Sequence, residues 1–179
     1  MEMPWTRRKA IKEGFLREAL PHADVLCRMA SRLVRNPQDA EDLVQETFHE
    51  GWKSFHSYQA STNCKAWLLK ILFRVSQRQK RLAIALQSLD SDDVADSRLV
   101  VYPSAERDVQ VREVAEVLEA LPEHYRVILV LADVESLHYK EIASVLEIPV
   151  GTVMSRLNRA RRLLRNKLVK TADRRTIEL

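Results

Sequence analysis

"EIASVLEIPVGTVMSRLNRARRLLRNKL", residues 141–168, decides how this chain folds. Ile142, Ala143 and Leu146 recur at the spacing of a buried helix face. After a break around Glu147–Pro149, Val153, Leu157, Ala160 and Leu164 do the same. Ile148 sits in the break, and the small Ala143 lets the two helices approach closely. Two helices joined by so short a turn are a helix-turn-helix. Glu147 stands where such turns favour glycine, so a costly positive φ is expected there.

Each helical residue advances about 100°. The face opposite the Val153–Leu157–Ala160–Leu164 stripe therefore carries Ser155, Asn158, Arg159, Arg162 and Asn166, with Arg156 and Arg161 on its flanks. Arg pairs with guanine and Asn with adenine in the major groove, while arginines further along a recognition helix meet phosphates. A helical hairpin with a solvated basic face would show the same residues. The rest of the chain has to choose.

The chain of 179 residues can hold one domain or two small ones, and 46% hydrophobic residues argue for folded cores. Only 3 Gly and 6 Pro occur, and alternating strand patterns are missing, so the expected class is all-α. The net charge of +4 hides a layout. Residues 1–82 carry 15 Lys/Arg against 9 Asp/Glu, whereas residues 83–108 carry 2 against 6. Residues 109–147 carry 3 against 8, and residues 148–179 carry 9 against 2. Such segregation predicts polyanionic partners for particular faces. Cys27 and Cys64 form no CxxC or Cys/His cluster, which fits a reduced protein. No stretch approaches 18 apolar residues, and "MEMPWTRRKAIKEGF" lacks the apolar run of a signal peptide. A cytoplasmic protein is expected.

Along the chain, "KEGFLREALPHADVLCRMASRLVR" reads as helix divided at Pro21, with Phe15, Leu16, Leu20, Val25, Leu26, Met29, Ala30 and Leu33 as its apolar set. In "NPQDAEDLVQETFHEGWKSF", Asn36 is a plausible cap, and Ala40, Leu43, Val44, Thr47 and Gly51 share one face. Asp42, Gln45, Glu46 and His49 share the other. "HSYQASTN" breaks the pattern before "CKAWLLKILFRVSQRQKRL", a helix that starts apolar and ends basic. The acidic "SLDSDDVADSRLVVYPSAERD" reads as a linker, and helices resume near Val109 with a break at Leu121–Pro122. The expected layout is a first helical domain at 1–82, a linker at 83–108 and a second helical domain at 109–179.

"LPEHYRVILVLADVESLHYKEIASVLEIPVGTVMSRLNRARRLLR" closely resembles the C-terminal domain of bacterial extracytoplasmic-function sigma factors. "DAEDLVQETFHEGWKSF" and "AWLLKILFRVSQRQKR" resemble the N-terminal domain of the same family, and the match runs over nearly the whole chain in the right order. The resemblance implies a non-enzymatic protein that binds core RNA polymerase and promoter DNA, with an anti-sigma factor as a further partner. It implies that Asp42, Gln45 and Glu46 dock on the polymerase clamp helices, with Phe48 and Trp52 as apolar anchors. It implies that the loop and helix start in "HSYQASTNCKAW" capture flipped bases of the melted downstream element. There Tyr58 and Trp67 would stack, Asn63 would bond a base edge, and Lys65, Lys70, Arg74 and Arg78, continued by Lys80 and Arg81, would track the strands. Arg74 stands where many relatives have Asn, so no base preference carries over to it. Trp67 also has the size and position of a core residue. For the duplex upstream element, the resemblance implies contacts from Lys140, Thr152, Met154, Ser155, Arg156, Asn158, Arg159 and Arg162. The aspartates Asp90, Asp92, Asp93 and Asp96 suit a segment running through the polymerase interior, and equally a merely solubilising linker.

Two rival readings remain on residues alone. "ETFH" at 46–49 and "ESLH" at 135–138 have the Glu-x-x-His spacing of di-iron bundles, but they fall in different expected domains. No metal or cofactor site is expected. The second rival is a helix-turn-helix regulator that does not replace a sigma factor; such a protein has no need of the N-terminal motifs.

Overall fold

The computed structural model of the chain describes residues 4–34, 36–60, 62–87 and 109–177. Among the described residues every regular element is helical, and the chain divides into two compact units. The acidic stretch with Asp90, Asp92, Asp93 and Asp96 lies outside the described residues.

The first unit holds α1 (Pro4–Ala19), a 3-10 turn (Leu20–His22), α2 (Ala23–Leu33), α3 (Pro37–Ser54), a second 3-10 turn (Phe55–Ser57) and α4 (Cys64–Gln87). Asn36 caps α3, its Oδ1 accepting from the Gln38 backbone N–H at 3.0 Å, and Pro37 with its preset φ follows. Ala40, Leu43, Val44, Thr47 and Gly51 are all buried, as their spacing predicts. The Thr47 hydroxyl satisfies itself by donating to the Leu43 carbonyl at 2.7 Å. Gly51 lets three helices meet: a methyl there would lie 3.4 Å from Leu68 of α4 and 3.5 Å from Phe15 of α1. Leu26, Met29, Leu43, Leu68, Leu69 and Leu72 fill the core between them.

The apolar spacing of α1 predicts Leu16 and Leu20 inside, yet both are exposed, at 41% and 51%. Leu20–Pro21 opens the 3-10 turn, so α1 and α2 share no common phase. α1 instead buries Phe15 and Ala19, one turn apart, and Leu16 is rotated about 100° out of that face. α4 runs on to Gln87, past the expected domain end at residue 82, and its residues 82–85 are exposed.

The second unit holds α5 (Val109–Glu119), α6 (Glu123–Leu129), a π-helical turn (Val130–Val134), α7 (Tyr139–Leu146) and α8 (Val150–Ile177). Pro122 marks the start of α6 in place of a polar cap. Val127, Ile128, Leu129, Val130 and Leu131 are buried in succession, which makes this segment the central strut that α8 packs against. An ion pair lies under it: Arg126, 4% exposed, donates from Nη1 to the Glu119 carbonyl at 3.0 Å and stands 3.2 Å from the Glu119 carboxylate.

The helix-turn-helix forms as the periodicity requires, with Glu141 accepting from the His138 backbone N–H at 2.7 Å to start α7. Glu147 is left-handed at φ 55°, ψ 42°, so the expected strain is present. Its own N–H and that of Ile148 both reach the Ala143 carbonyl, which closes α7. Ile142 and Val145, rather than Leu146, are the sealed residues of α7, and Leu164 is only half-buried; the closed stripe of α8 is Val153, Leu157 and Ala160.

Candidate functional site

On α8, the outward face opposite Val153, Leu157 and Ala160 forms a shallow groove lined by Gly151, Met154, Ser155, Asn158, Arg159 and Arg162. Met154, Ser155, Asn158, Arg159 and Arg162 are all exposed. Ser155 donates to the Thr152 carbonyl at 3.1 Å, so its hydroxyl is turned along the helix. Thr152 and Arg156 are half-buried at the flank, and Lys140 is exposed on the first turn of α7. Arg161 belongs to a different group from its neighbours. It pairs with Asp133 at 2.6 and 3.3 Å, so it clamps α8 to its own unit.

In the first unit, α3 presents Asp42, Gln45 and His49 to solvent. Glu46 is half-buried and pairs with Arg78 of α4 at 2.9 Å. Two residues expected to serve different partners are therefore each other's partners in the free protein.

Phe48 and Trp52 lean edge-on against Phe15, with ring centroids at 6.4 and 5.5 Å. Trp52 is still 41% exposed and shares a shallow groove with Lys9, Ile11 and Lys12. Phe15 also meets Phe55 at 5.3 Å; Phe55 stacks on Tyr58 at 5.4 Å, and Tyr58 meets Trp67 at 5.0 Å. Tyr58 and Trp67, both expected to hold bases, thus form the end of one aromatic chain that begins in the core. Phe15 and Phe55 were outside the expected site. The spacing Phe48, Trp52, Phe55, one turn apart each time, is the sequence signal that marks this chain.

The loop between them is built in advance. Tyr58 donates its hydroxyl to the Thr62 carbonyl at 2.8 Å, and the Thr62 N–H and hydroxyl both reach the Gln59 carbonyl. Burial, with the neighbouring Cys64, pushes the Tyr58 phenol above its ordinary range. Asn63 caps α4, its Oδ1 accepting from the Ala66 N–H at 3.3 Å while its carbonyl accepts from Trp67. Lys65 and Lys70 are half-buried, and Arg74, Arg78, Lys80 and Arg81 are exposed along α4. Lys65 stands close enough to His22 to add to the lowering of its pKa that burial begins. Glu46 and His49 lie in the first unit and Glu135 and His138 in the second, and among the described residues no three His, Cys, Asp or Glu side chains are grouped to hold a metal.

Residues 20–83 match the family described as Sigma-70 region 2, and residues 111–164 match Sigma-70, region 4. The chain is 33% identical to the ECF RNA polymerase sigma factor EcfG of Rhodopseudomonas palustris, over 74% of this chain and 72% of that one. The chain belongs to the extracytoplasmic-function sigma factors. It is also 36% identical to SigE of Mycolicibacterium smegmatis, over 83% of this chain, and it spans 59% of the length of that relative. The sigma factor RpoE of Bartonella quintana, solved in complex with the anti-sigma factor NepR, superposes with a TM-score of 0.76 at 28% identity. That superposition covers 87% of this chain and 97% of RpoE.

As a sigma factor, the protein binds core RNA polymerase and promoter DNA and directs promoter-specific transcription; sigma factors are initiation factors rather than enzymes. All of the candidate residues fall within the two matched ranges, whereas Phe15 lies before the first. Among the described residues no helix is long and apolar enough to cross a membrane.

Proposed function

We propose that this sigma factor divides its work between the two units. Asp42, Gln45 and Glu46 of α3 dock on basic surface of core polymerase, with Phe48 and Trp52 packing at the edge. Tyr58 and Trp67 stack on bases of the melted −10 element. Asn63 contributes both its cap and a base contact, and Lys65, Lys70, Arg74 and Arg78 hold the opened strands. Lys140, Thr152, Met154, Ser155, Arg156, Asn158, Arg159 and Arg162 read the duplex −35 element. The observation that carries this reading is the groove of α8. Its polar and basic side chains lie opposite a sealed stripe, while Arg161, which would blur that face, is tied to Asp133.

The ion pair between Glu46 and Arg78 means that docking and strand capture draw on one shared contact. An exposed pair of this kind is worth about 0–1 kcal/mol, so either partner can be drawn away at little cost. The protein works in the cytoplasm, performs no catalysis of its own, and is held inactive by an anti-sigma factor, as RpoE is bound by NepR. We place the domain boundaries near residues 82 and 109, with the first helical unit continuing to Gln87.

Transcription with purified core polymerase tests the reading. Added full-length chain should start transcripts from a promoter on which core alone is silent. A chain that binds promoter duplex yet starts nothing with bare core is an ordinary helix-turn-helix regulator.

A further inference from the structure

We infer that Met154 reads a thymine methyl group in the upstream element and so sets a preference for an A·T pair there. The inference rests on α8 being the promoter reader and names what one of its residues recognises. Met154 is 54% exposed and is the one apolar side chain among the six residues that line the groove. It stands at the fifth residue of α8, in the half of a recognition helix that reaches base edges. The surface one turn before it is also open: a methyl group built at Gly151 would meet nothing within 4 Å. Its neighbour Ser155 is turned away toward the Thr152 carbonyl.

A large thioether held out among polar groups matches one feature of the major groove. Each base pair presents donors and acceptors there, but the apolar group is the C5 methyl of thymine. The flexible, polarisable methionine side chain adapts to such a contact without demanding a fixed geometry. Asn158 and Arg159, one turn on, supply hydrogen bonds to neighbouring pairs, so Met154 would add a contact that they cannot make. Burying one methyl is worth about fourfold in affinity.

The experiment uses the full chain bound to core polymerase. Promoter duplexes randomised in the upstream element are selected for binding, and each thymine of the winning element is then replaced by deoxyuridine, which removes only the methyl. One thymine position should weaken binding about fourfold for the parent protein. The same replacement should have no effect on Met154→Ala, which should also have lost preference for A·T at that position. A selected element without a methyl-sensitive thymine overturns the proposal, as does a deoxyuridine effect equal in parent and variant. Arg159→Ala is selected in parallel. If parent and Arg159→Ala show no upstream preference at all, α8 is not the reader, and the Met154 proposal falls with that reading.

Discussion

Glu147 pays for the sharpness of the turn. A residue with a Cβ at φ 55° costs about 1–2 kcal/mol that glycine avoids. Glycine gives part of this back by loosening the unfolded chain. Glu147→Gly should therefore raise the stability of the second unit by about 1 kcal/mol, read as a higher urea midpoint at unchanged slope. No change in midpoint would mean that the contacts of the Glu147 side chain offset the strain. This strain was legible in advance, because Glu147 stands at the position where helix-turn-helix turns favour glycine. The roles of the arginines around it were less so. Arg159 and Arg161 differ by two positions, and helical phase alone sets them apart only as face and flank. What separates them fully is Asp133, 28 residues earlier in sequence and 2.6 Å away in space. No local pattern encodes that distance.

Elements were legible where one face is buried and opaque where three helices share a corner. The buried positions of α3 follow its period completely, because its inner face meets α2 and α4 along its length. α1 departs from its apolar pattern because Pro21 breaks the phase and, among its residues 9–19, Phe15 and Ala19 are the buried ones. The pair between α5 and α6 was also hidden, since Glu119 and Arg126 are separated by the proline break that makes them look unrelated. Removing one member of a buried pair costs about 3–5 kcal/mol, whereas replacing both by apolar groups is often neutral. Arg126→Ala should cost about 3 kcal/mol in urea denaturation. The double variant Glu119→Leu with Arg126→Met should recover most of that. A cost below about 1 kcal/mol for Arg126→Ala would put the pair in the class of surface bridges, despite its burial.

At the scale of the molecule, class and order of the two units were readable from two independent sets of motifs, and the charge layout agreed with both. The division of labour predicts two separable kinetic defects. Recognition of duplex by α8 precedes strand opening, so Arg159→Ala should weaken the initial binding of holoenzyme by about 1–3 kcal/mol, roughly 5- to 150-fold. Its isomerisation to the open complex should keep the parent rate. Arg74 is exposed on the helix that carries Trp67, two turns further on, and in the proposed division of labour it holds the opened strands. Arg74→Ala should leave initial binding near the parent value and slow isomerisation. Lag times of abortive initiation, measured over a range of holoenzyme concentrations, give the two constants separately. A template carrying a mismatched bubble over the −10 element removes the cost of opening. It should therefore restore Arg74→Ala toward the parent, while Arg159→Ala keeps its deficit, since the upstream element is duplex in both templates. Equal rescue of the two variants would show that the units do not divide the work in this way.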